Sequence, residues 1–526
     1  MFSFAFHKLK KGNNNWKLKI NDHVIKCTKS NAKSISNKIF NYYSNKSINK
    51  LVLNENEDKD FFEIKISEFD DSLICSEQDY KYFDDIFNLI PVQISMTNKN
   101  VLKIFAKELE IYDLSKLIDI FEQSYDLITN DSILNIQKEI TNEIIDITEE
   151  NCDQLIAKII EKYEEKDDNF ILDNDFLYTV VLSTCIIRSN KIELLMTFLK
   201  TLEEKTMGNQ FKYFKKLILL ELKESSTPET NEIRFIIRYL YNIHEIDQKT
   251  IEKVLGAKNK ETGLYELYNF KDILFDKDTN LSETSIKYAK MGSNPDDIYQ
   301  AIKNDDIDRF SELINQKSDN YKYNDIIQLD LYERSSFFMT IKSQCYYIDL
   351  SAFYGSEKVF NYILLNVDPN DCISEETVLS AFCGGNPSII HKCIEINKLH
   401  KTTFSLCLLY SLMHHYNETF EWLIENHNSL LNQSSAVLIN DLIDQPKFLE
   451  TAVQFINFDA LSYLISIGID YLPLFSLSLI YNNFYLAKLS LKLQYNCNSS
   501  IVKTNGKRSP FLYEYKEIFF YHFFLT

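Results

Sequence analysis

The chain has 526 residues, and its 57 basic and 76 acidic side chains give a formal net charge of −19. Hydrophobic residues make up 45% and charged residues 25%, which is ordinary for globular protein and excludes wholesale disorder. The acidic balance argues against binding to nucleic acid or an anionic membrane through bulk electrostatics, because such proteins cluster Lys and Arg. With only 10 glycines and 8 prolines, the chain lacks the turn residues of a sandwich or barrel, so we expect a mostly helical fold.

We expect neither a secretory signal nor a membrane-spanning helix. Residues 1–10 place a short apolar patch before basic residues, the reverse of a signal peptide. A membrane helix needs about 20 nearly uninterrupted apolar residues. The best candidate, Leu472–Leu491, is interrupted by Asn482, Asn483 and Lys488. The 10 cysteines include no CxxC pair, which indicates free thiols in a reducing compartment, and we expect a cytoplasmic protein.

Residues 1–111 predict a small α+β domain. Trp16–Ile20 alternates apolar and polar residues, and His23–Cys27 has the pattern of the returning strand of a hairpin. Leu51–Leu53 predicts a third strand, and the acidic segment 55–71 predicts a solvated loop or edge. Helical spacing predicts three helices, over Ala32–Phe40, over residues 82–90 before Pro91, and over Val101–Ile111.

The order of these elements resembles the BTB/POZ fold, which also includes the Skp-like and elongin-like proteins. The resemblance is carried by the hairpin Trp16–Cys27, by Ala32-Lys-Ser34 with Lys38-Ile-Phe40, and by Asn100-Val-Leu-Lys-Ile-Phe-Ala-Lys-Glu-Leu-Glu-Ile111. Two positions depart from the family: Ala32 stands where a larger apolar residue is usual, and Cys27 where many members have His. An unrelated small α+β domain is the alternative.

Residues 112–290 predict nearly continuous helix, because apolar residues recur at helical spacing. Polar stretches interrupt the pattern at Glu161–Asn169, Glu203–Asn209 and Glu224–Asn231. No group of residues in this segment suggests chemistry. We interpret it as a helical bridge between two interaction modules.

An internal repeat begins near residue 291. Each copy has a helix with small residues, a short turn and a more apolar helix. Gly355 and Gly385 fall in the turns, where a left-handed conformation costs glycine little. Four copies align at Asn304–Ile314, Tyr354–Leu364, Gly384–Ile394 and His414–Ile424, two less regular ones at Phe455–Ile465 and Tyr481–Leu491, and an earlier candidate copy at Arg188–Leu199.

This pattern indicates an ankyrin-type stack with a period near ~33 residues, and an α-solenoid of another type is the alternative. Ile348–Ser356 resembles the ankyrin segment that opens the first helix. Asn505–Leu512 resembles the ankyrin hairpin and its Thr-Pro-Leu-His tetrapeptide, with Ser509 for Thr and Leu512 for His. Residues 346–427 closely resemble a domain of unknown function found in the large ankyrin-repeat families of protist parasites. The resemblance implies a degenerate ankyrin-type repeat domain over residues 291–526.

We predict neither an enzyme nor a metal or cofactor site. The usual nucleotide, zinc-protease and hydrolase motifs are absent from the sequence. Zinc is the one metal worth considering, but no His or Cys pair has the close spacing typical of its ligands. The residues concerned are Cys383, Cys393, Cys407, His391, His400, His414, His415 and His427.

We interpret the chain as a non-catalytic scaffold that binds unidentified partner proteins through the concave surface of its stacked helix pairs. The alternative, implied by the BTB resemblance, is a substrate adaptor of a cullin-type ubiquitin ligase. The end of the chain, Tyr513–Thr526, is apolar on both faces of its predicted helix, which suggests self-association or partner docking. The candidate interface residues are Phe519, Phe520, Phe523 and Phe524.

Overall fold

The computed structural model confirms a mostly helical chain with a few short strands. It describes residues 77–88, 92–164, 174–224, 231–256, 296–317, 322–328, 344–430, 446–469 and 473–491, and, before residue 65, residues 3–4, 16–20, 23–27, 32, 35–37, 39 and 61–64. The predicted interface at Phe519, Phe520, Phe523 and Phe524 lies outside the described residues.

The chain divides into two compact units, each completed by a segment from far along the sequence. The first unit contains Met1–Leu134, Leu461–Ser476 and Phe484–Thr526, and the second contains Asn135–Ala460 and Leu477–Asn483. The expected boundaries near residues 111 and 291 are not edges of these units, so the division into three segments stays a prediction.

The first unit contains the strands β1 (Ser3–Phe4), β2 (Trp16–Ile20), β3 (His23–Cys27), β4 (Phe61–Ile64) and β5 (Val92–Gln93). β2 and β3 form the predicted antiparallel hairpin, with Trp16 opposite Cys27. β4 lies parallel to β2 at the edge of the sheet β3-β2-β4, so an apolar run within the acidic segment 55–71 forms the edge. β1 pairs with β5. The predicted strand Leu51–Leu53 lies outside the described residues.

The helices of the first unit are α1 (Glu77–Phe87), α2 (Lys99–Glu108) and α3 (Tyr112–Thr129), and α4 (Ser132–Ile145) begins there. Aromatic rings fill the space between α1 and α2. The Phe83 ring stacks on Phe105 with centroids 3.9 Å apart, and Phe87 meets Phe105 edge-on at 6.0 Å. Leu102, Phe105 and Leu109 are fully buried, which confirms the predicted apolar stripe of this segment.

The second unit begins with the helices α5 (Cys152–Glu164), α6 (Asn174–Ile187), α7 (Ile192–Thr206), α8 (Gln210–Glu224), α9 (Asn231–Asn242) and α10 (Gln248–Gly256). The polar stretches noted in the sequence coincide with the ends of α5, α7 and α8. α6 is buried on nearly every side, whereas a surface helix buries one stripe. A 3-10 turn, Ser189–Lys191, joins α6 to α7, so the candidate copy Arg188–Leu199 lacks the turn of the other copies.

The repeats follow as α11 (Asp297–Lys303), α12 (Ile307–Gln316), α13 (Tyr347–Phe353), α14 (Glu357–Asn366), the short α15 (Pro369–Cys372), α16 (Glu375–Gly384), α17 (Pro387–Ile396), α18 (Lys401–Met413), α19 (Asn417–Leu430), α20 (Pro446–Gln454), α21 (Phe458–Ser466) and α22 (Leu474–Ile480). Residues 484–491 are also helical. The strands β6 (Ile326–Gln328) and β7 (Gln344–Tyr346) pair antiparallel, and β7 leads directly into α13.

The helices of the repeats pack in two rows within the second unit. The first helices of successive pairs, α11, α13, α16, α18 and α20, contact one another in chain order, and the second helices α12, α14 and α17 do the same. Small residues permit this approach. A Cβ on Gly384 would overlap the carbonyl oxygen of Ala352 in the preceding first helix. The buried side chains at Ser351, Ala352 and Ala381 fit the same narrow space.

Each pair turns through one residue with positive φ. The two predicted glycines, Gly355 and Gly385, have φ of +66° and +70°. Non-glycine residues occupy the equivalent place elsewhere. In most of these turns, the N–H of the next residue donates to the carbonyl five residues back, as in the Schellman motif; Tyr416 N and Ser411 O are 2.9 Å apart. The non-glycine left-handed residues of the repeats are Asp305, His415, Ile456 and Asn482, with φ of +53°, +60°, +53° and +57°.

A sequence signature accompanies these turns. The residue four before the left-handed one is always Ala or Ser, and the residue after it always has a side chain that can form hydrogen bonds; Asp306, Asn386 and Asn457 cap the next helix. The small residues are Ala301, Ser351, Ala381, Ser411, Ala452 and Ser478, and the following residues are Asp306, Ser356, Asn386, Tyr416, Asn457 and Asn483. Glycine alone is therefore a poor marker of the repeat.

The two turn glycines are predicted to differ in their tolerance of alanine. A Cβ on Gly355 has its nearest neighbour at 3.6 Å, so Gly355→Ala meets only the left-handed penalty of about 1 kcal/mol. A Cβ on Gly385 would overlap the Tyr416 ring, so Gly385→Ala carries a further overpacking cost of about 1–3 kcal/mol. Urea unfolding of both variants measures the difference. Equal losses of stability would contradict the packing described at Gly385.

Candidate functional site

Side chains that follow the left-handed residues tie each turn to the turn before it. Ser356 Oγ donates to Ile302 O at 2.6 Å, and Asn386 Nδ2 donates to Gly355 O at 3.2 Å. The Tyr416 hydroxyl lies 3.2 Å from Gly384 O and 3.3 Å from Cys383 O. These bonds satisfy carbonyls that the end of a helix otherwise leaves without a partner. They also fix the offset between neighbouring helix pairs.

Asn457 has the most contacts in this series. Its Nδ2 donates to Leu412 O and to Asn417 Oδ1, both at 2.8 Å, while its Oδ1 accepts from Ala460 N at 3.0 Å. The residue is 1% exposed. One side chain therefore caps a helix, binds the preceding turn and contacts the first residue of α19.

An exposed row follows the position nine residues before the first five left-handed residues, on or immediately before each first helix. Tyr346 and Leu406 are 39% and 36% exposed, large fractions for apolar side chains in or next to packed helices. Glu376, at the equivalent position of the pair between them, is partly exposed. We call the set Asp296, Tyr346, Glu376, Leu406 and Lys447 the exposed row. The first five helix pairs thus present one equivalent outward position each.

Two neighbouring histidines of the fourth turn, between α18 and α19, are buried against the end of α6. Arg188 Nη1 lies 3.3 Å from His414 Nδ1, and Nη2 donates to His414 O at 3.0 Å. The guanidinium also lies over the Tyr416 ring, 5.1 Å from its centroid. Since arginine only donates, His414 Nδ1 must accept and cannot carry a proton. His415 Nε2 donates to Phe455 O at 2.8 Å, which places the proton of that ring on Nε2.

Both rings are held neutral. Burial, with Arg188 and His415 nearby, keeps the pKa of His414 well below its ordinary value. Burial also lowers the pKa of His415 to about 4, against the opposing hydrogen bond to Phe455. His414 Nε2 and His415 Nδ1 are buried and have no hydrogen-bond partner. A lowered histidine pKa contributes stability above about pH 6.5, and this contribution is lost as the pH falls towards the folded-state pKa.

The residues considered as zinc ligands do not form a metal site. Among the described residues, no group of three or more His, Cys, Asp or Glu side chains is arranged to hold a metal ion. The His391 ring instead meets Trp422 with centroids 5.0 Å apart, and His427 Nδ1 lies 2.7 Å from Ile424 O. Cys383 and Cys407 are buried thiols whose pKa is raised by burial. They pack as small core residues.

An open cleft of about 580 Å³ lies between α5 and α7. Cys152, Glu193 and Lys191 are among its lining residues. Burial and the neighbouring Asp153 raise the pKa of the Cys152 thiol, so little of it is thiolate near neutral pH. Lys191 Nζ donates to Ile145 O, at the end of α4, at 2.8 Å. The Cys152 thiol is therefore not an activated nucleophile, and burial lowers the pKa of Lys191 while its ammonium binds the carbonyl.

Three comparisons with known proteins bear on the repeats. Residues 369–443 match a family described as a domain of unknown function (DUF3447). This segment runs from α15 to beyond α19 and includes the turns at Gly385 and His415. No curated protein and no solved structure matches the chain. The match agrees with the resemblance noted for residues 346–427, and it covers far less than half of the chain. No helix within the described ranges is long and apolar enough to cross a membrane.

Asn457 provides the sharpest test of the inter-turn bonds. Asn457→Ala removes a helix cap, worth about 0.5–2 kcal/mol, and two buried hydrogen bonds, worth about 0.5–1.5 kcal/mol each. We expect a loss of about 2–4 kcal/mol by urea unfolding. Asn457→Asp keeps the capping oxygen but sets a buried carboxylate oxygen against Leu412 O, so its loss should be at least as large as that of Asn457→Ala. An alanine variant as stable as wild type would show that the bonds are dispensable.

Proposed function

We propose that the chain is a cytoplasmic, non-catalytic scaffold that binds partner proteins along the exposed row, and that its repeats are degenerate ankyrin-type units. The observation that carries this proposal is the equivalence of Tyr346, Glu376 and Leu406. Each lies nine residues before a left-handed turn residue. Glu376 and Leu406 lie on the first helices α16 and α18, Tyr346 immediately precedes α13, and these three helices contact one another in chain order. A repeated outward position on packed helices is the usual basis of partner recognition by stacked repeats.

The chemistry of the exposed row favours a protein partner. Tyr346 and Leu406 offer apolar contact area, and tyrosine is enriched among residues that dominate binding energy. Glu376 lies between them, and Asp296 and Lys447 lie at opposite ends of the row. The partner surface that faces Tyr346, Glu376 and Leu406 would therefore present apolar side chains beside a basic one. Both apolar side chains remain partly exposed in the folded chain, so a partner can reach them without unfolding the repeats.

Three features of the described residues support a non-catalytic role. The buried histidines His414 and His415 are neutral, and each uses one ring nitrogen in a structural contact. The thiols with resolved pKa shifts, Cys152 among them, have raised rather than lowered pKa values, the opposite of an activated nucleophile. In the open cleft between α5 and α7, which a thiol and carboxylates also line, the ammonium group of Lys191 is already bound to a backbone carbonyl.

A matched pair of leucine variants tests the exposed row. Leu406→Glu places a charge in the row, whereas Leu365→Glu places one on α14, a second helix, where Leu365 is 84% exposed. Quantitative pull-downs with the full-length chain should lose a defined set of proteins with Leu406→Glu and keep that set with Leu365→Glu. Equal melting temperatures would establish that both variants fold. Identical captured sets from wild type and both variants would contradict binding through the row.

The second candidate function is that of a substrate adaptor in a cullin-type ubiquitin ligase, and it depends on the first unit. The hairpin of β2 and β3 and the buried stripe of α2 are two of the three features that carry the BTB resemblance, and both are present. Co-purification of a cullin with the full-length chain would favour the adaptor. Its consistent absence from captures that retain other partners would favour a plain scaffold.

A further inference from the structure

Helix α6 runs across the turns of three successive helix pairs. Arg188 donates to His414 O at 3.0 Å, and Ser183 Oγ donates to Gln454 O at 3.1 Å. Further back along the same helix, Thr179 Oγ1 approaches Tyr481 O at 3.5 Å. The three acceptors are carbonyls at the ends of α18, α20 and α22. We call α6 and the turn after it, residues 174–191, the strap.

A cluster of apolar side chains packs at the Arg188 end of the strap. Ile187 packs with Ile145 and Phe455, and Ile186 and Met413 lie against the same cluster. These five side chains come from the strap, α4, α18 and the turn after α20. The Arg188 end of the strap is therefore held by this apolar cluster and by donors aimed at helix ends, whereas the rest of α6 is buried on nearly every side.

The Arg188 end of the strap depends on a neutral histidine. His414 Nδ1 accepts from the guanidinium, and a proton on that nitrogen would set two donors and two positive charges against each other in a buried site. We propose that the strap is an acid-released latch, in which protonation of His414 Nδ1 from solvent expels Arg188 and exposes the apolar cluster beneath. Acid release is independent of whether the exposed row binds a protein.

The charged and titratable groups around His414 favour this outcome. Arg188 approaches from the strap, and His415 and Tyr416 lie in the same turn. Asp459, on α21, acts on His415, and Asp146, at the end of α4, acts on Tyr416. Asp459 would stabilise a charged His415, but His414 is influenced chiefly by burial, Arg188 and His415. The depressed pKa of His414 gives the direction: acid weakens the latch.

Hydroxyl-radical footprinting of the full-length chain tests the latch. Phe455 and Met413 report on the cluster under the strap, and the fully buried Phe198 and Phe360 report on α7 and α14. We compare oxidation at about pH 7.5 and about pH 4.5, since each pH unit below about 6.5 shifts a single-proton equilibrium up to tenfold. Oxidation of Phe455 and Met413 should rise several-fold in acid while Phe198 and Phe360 stay protected.

Three variants identify the group that responds. His414→Asn keeps an acceptor near the place of Nδ1 but takes no proton, so its footprint should not change with pH. Arg188→Met should leave the cluster accessible at both pH values. His400→Asn, at a histidine side chain that is 61% exposed, is the matched control and should respond as wild type does.

Several results would overturn the latch. The first is a wild-type footprint that acid leaves unchanged. The second is an acid-dependent rise in oxidation of the same size in His414→Asn. The third is a rise in oxidation that Phe198 and Phe360 share, because this would indicate unfolding. If the acid response is lost in His415→Gln but retained in His414→Asn, the responding group is His415 and not His414. Should His414→Asn fail to fold, nitrogen-15 shifts of labelled histidine in wild type decide the matter. A proton on His414 Nδ1 at neutral pH would contradict the proposal.

Discussion

The repeats depend on a backbone constraint at each turn: one residue must adopt positive φ so that the helix ends within a single residue and the next can begin. The following side chain then faces the previous turn, and Ser356, Asn386, Tyr416 and Asn457 all use this position to bind a carbonyl of the preceding pair. Because the same turn sets both the helix crossing and the next contact, the turns determine how successive pairs align.

The constraint is met by different residues at different cost. Glycine adopts positive φ freely, and aspartate and asparagine do so with modest strain. Ile456 does so at φ +53° although a β-branched residue is disfavoured there. Ile456 is 2% exposed, and its neighbour Asn457 is fixed by three hydrogen bonds. Tertiary contacts therefore impose the turn where the local sequence opposes it.

The sequence predicted those elements whose conformation depends on neighbouring residues along the chain. Strand alternation located the hairpin Trp16–Cys27, helical spacing located the stripe of α2, and two glycines located two turns. The strap could not be predicted in this way, because Arg188 and His414 are 226 residues apart and arginine is unremarkable at a helix end. The exposed row was also hidden, since its spacing is visible only once the left-handed residues are known.

The freedom of the left-handed position bears on how such repeats diverge. Substitution there among Gly, Asp, Asn, His and even Ile leaves the turn intact, provided that a small residue stays four places before it and a side chain able to hydrogen-bond one place after it. Sequence identity between copies can therefore decay while the geometry persists. Lineages that keep only these two flanking requirements would share a fold without sharing a recognisable motif.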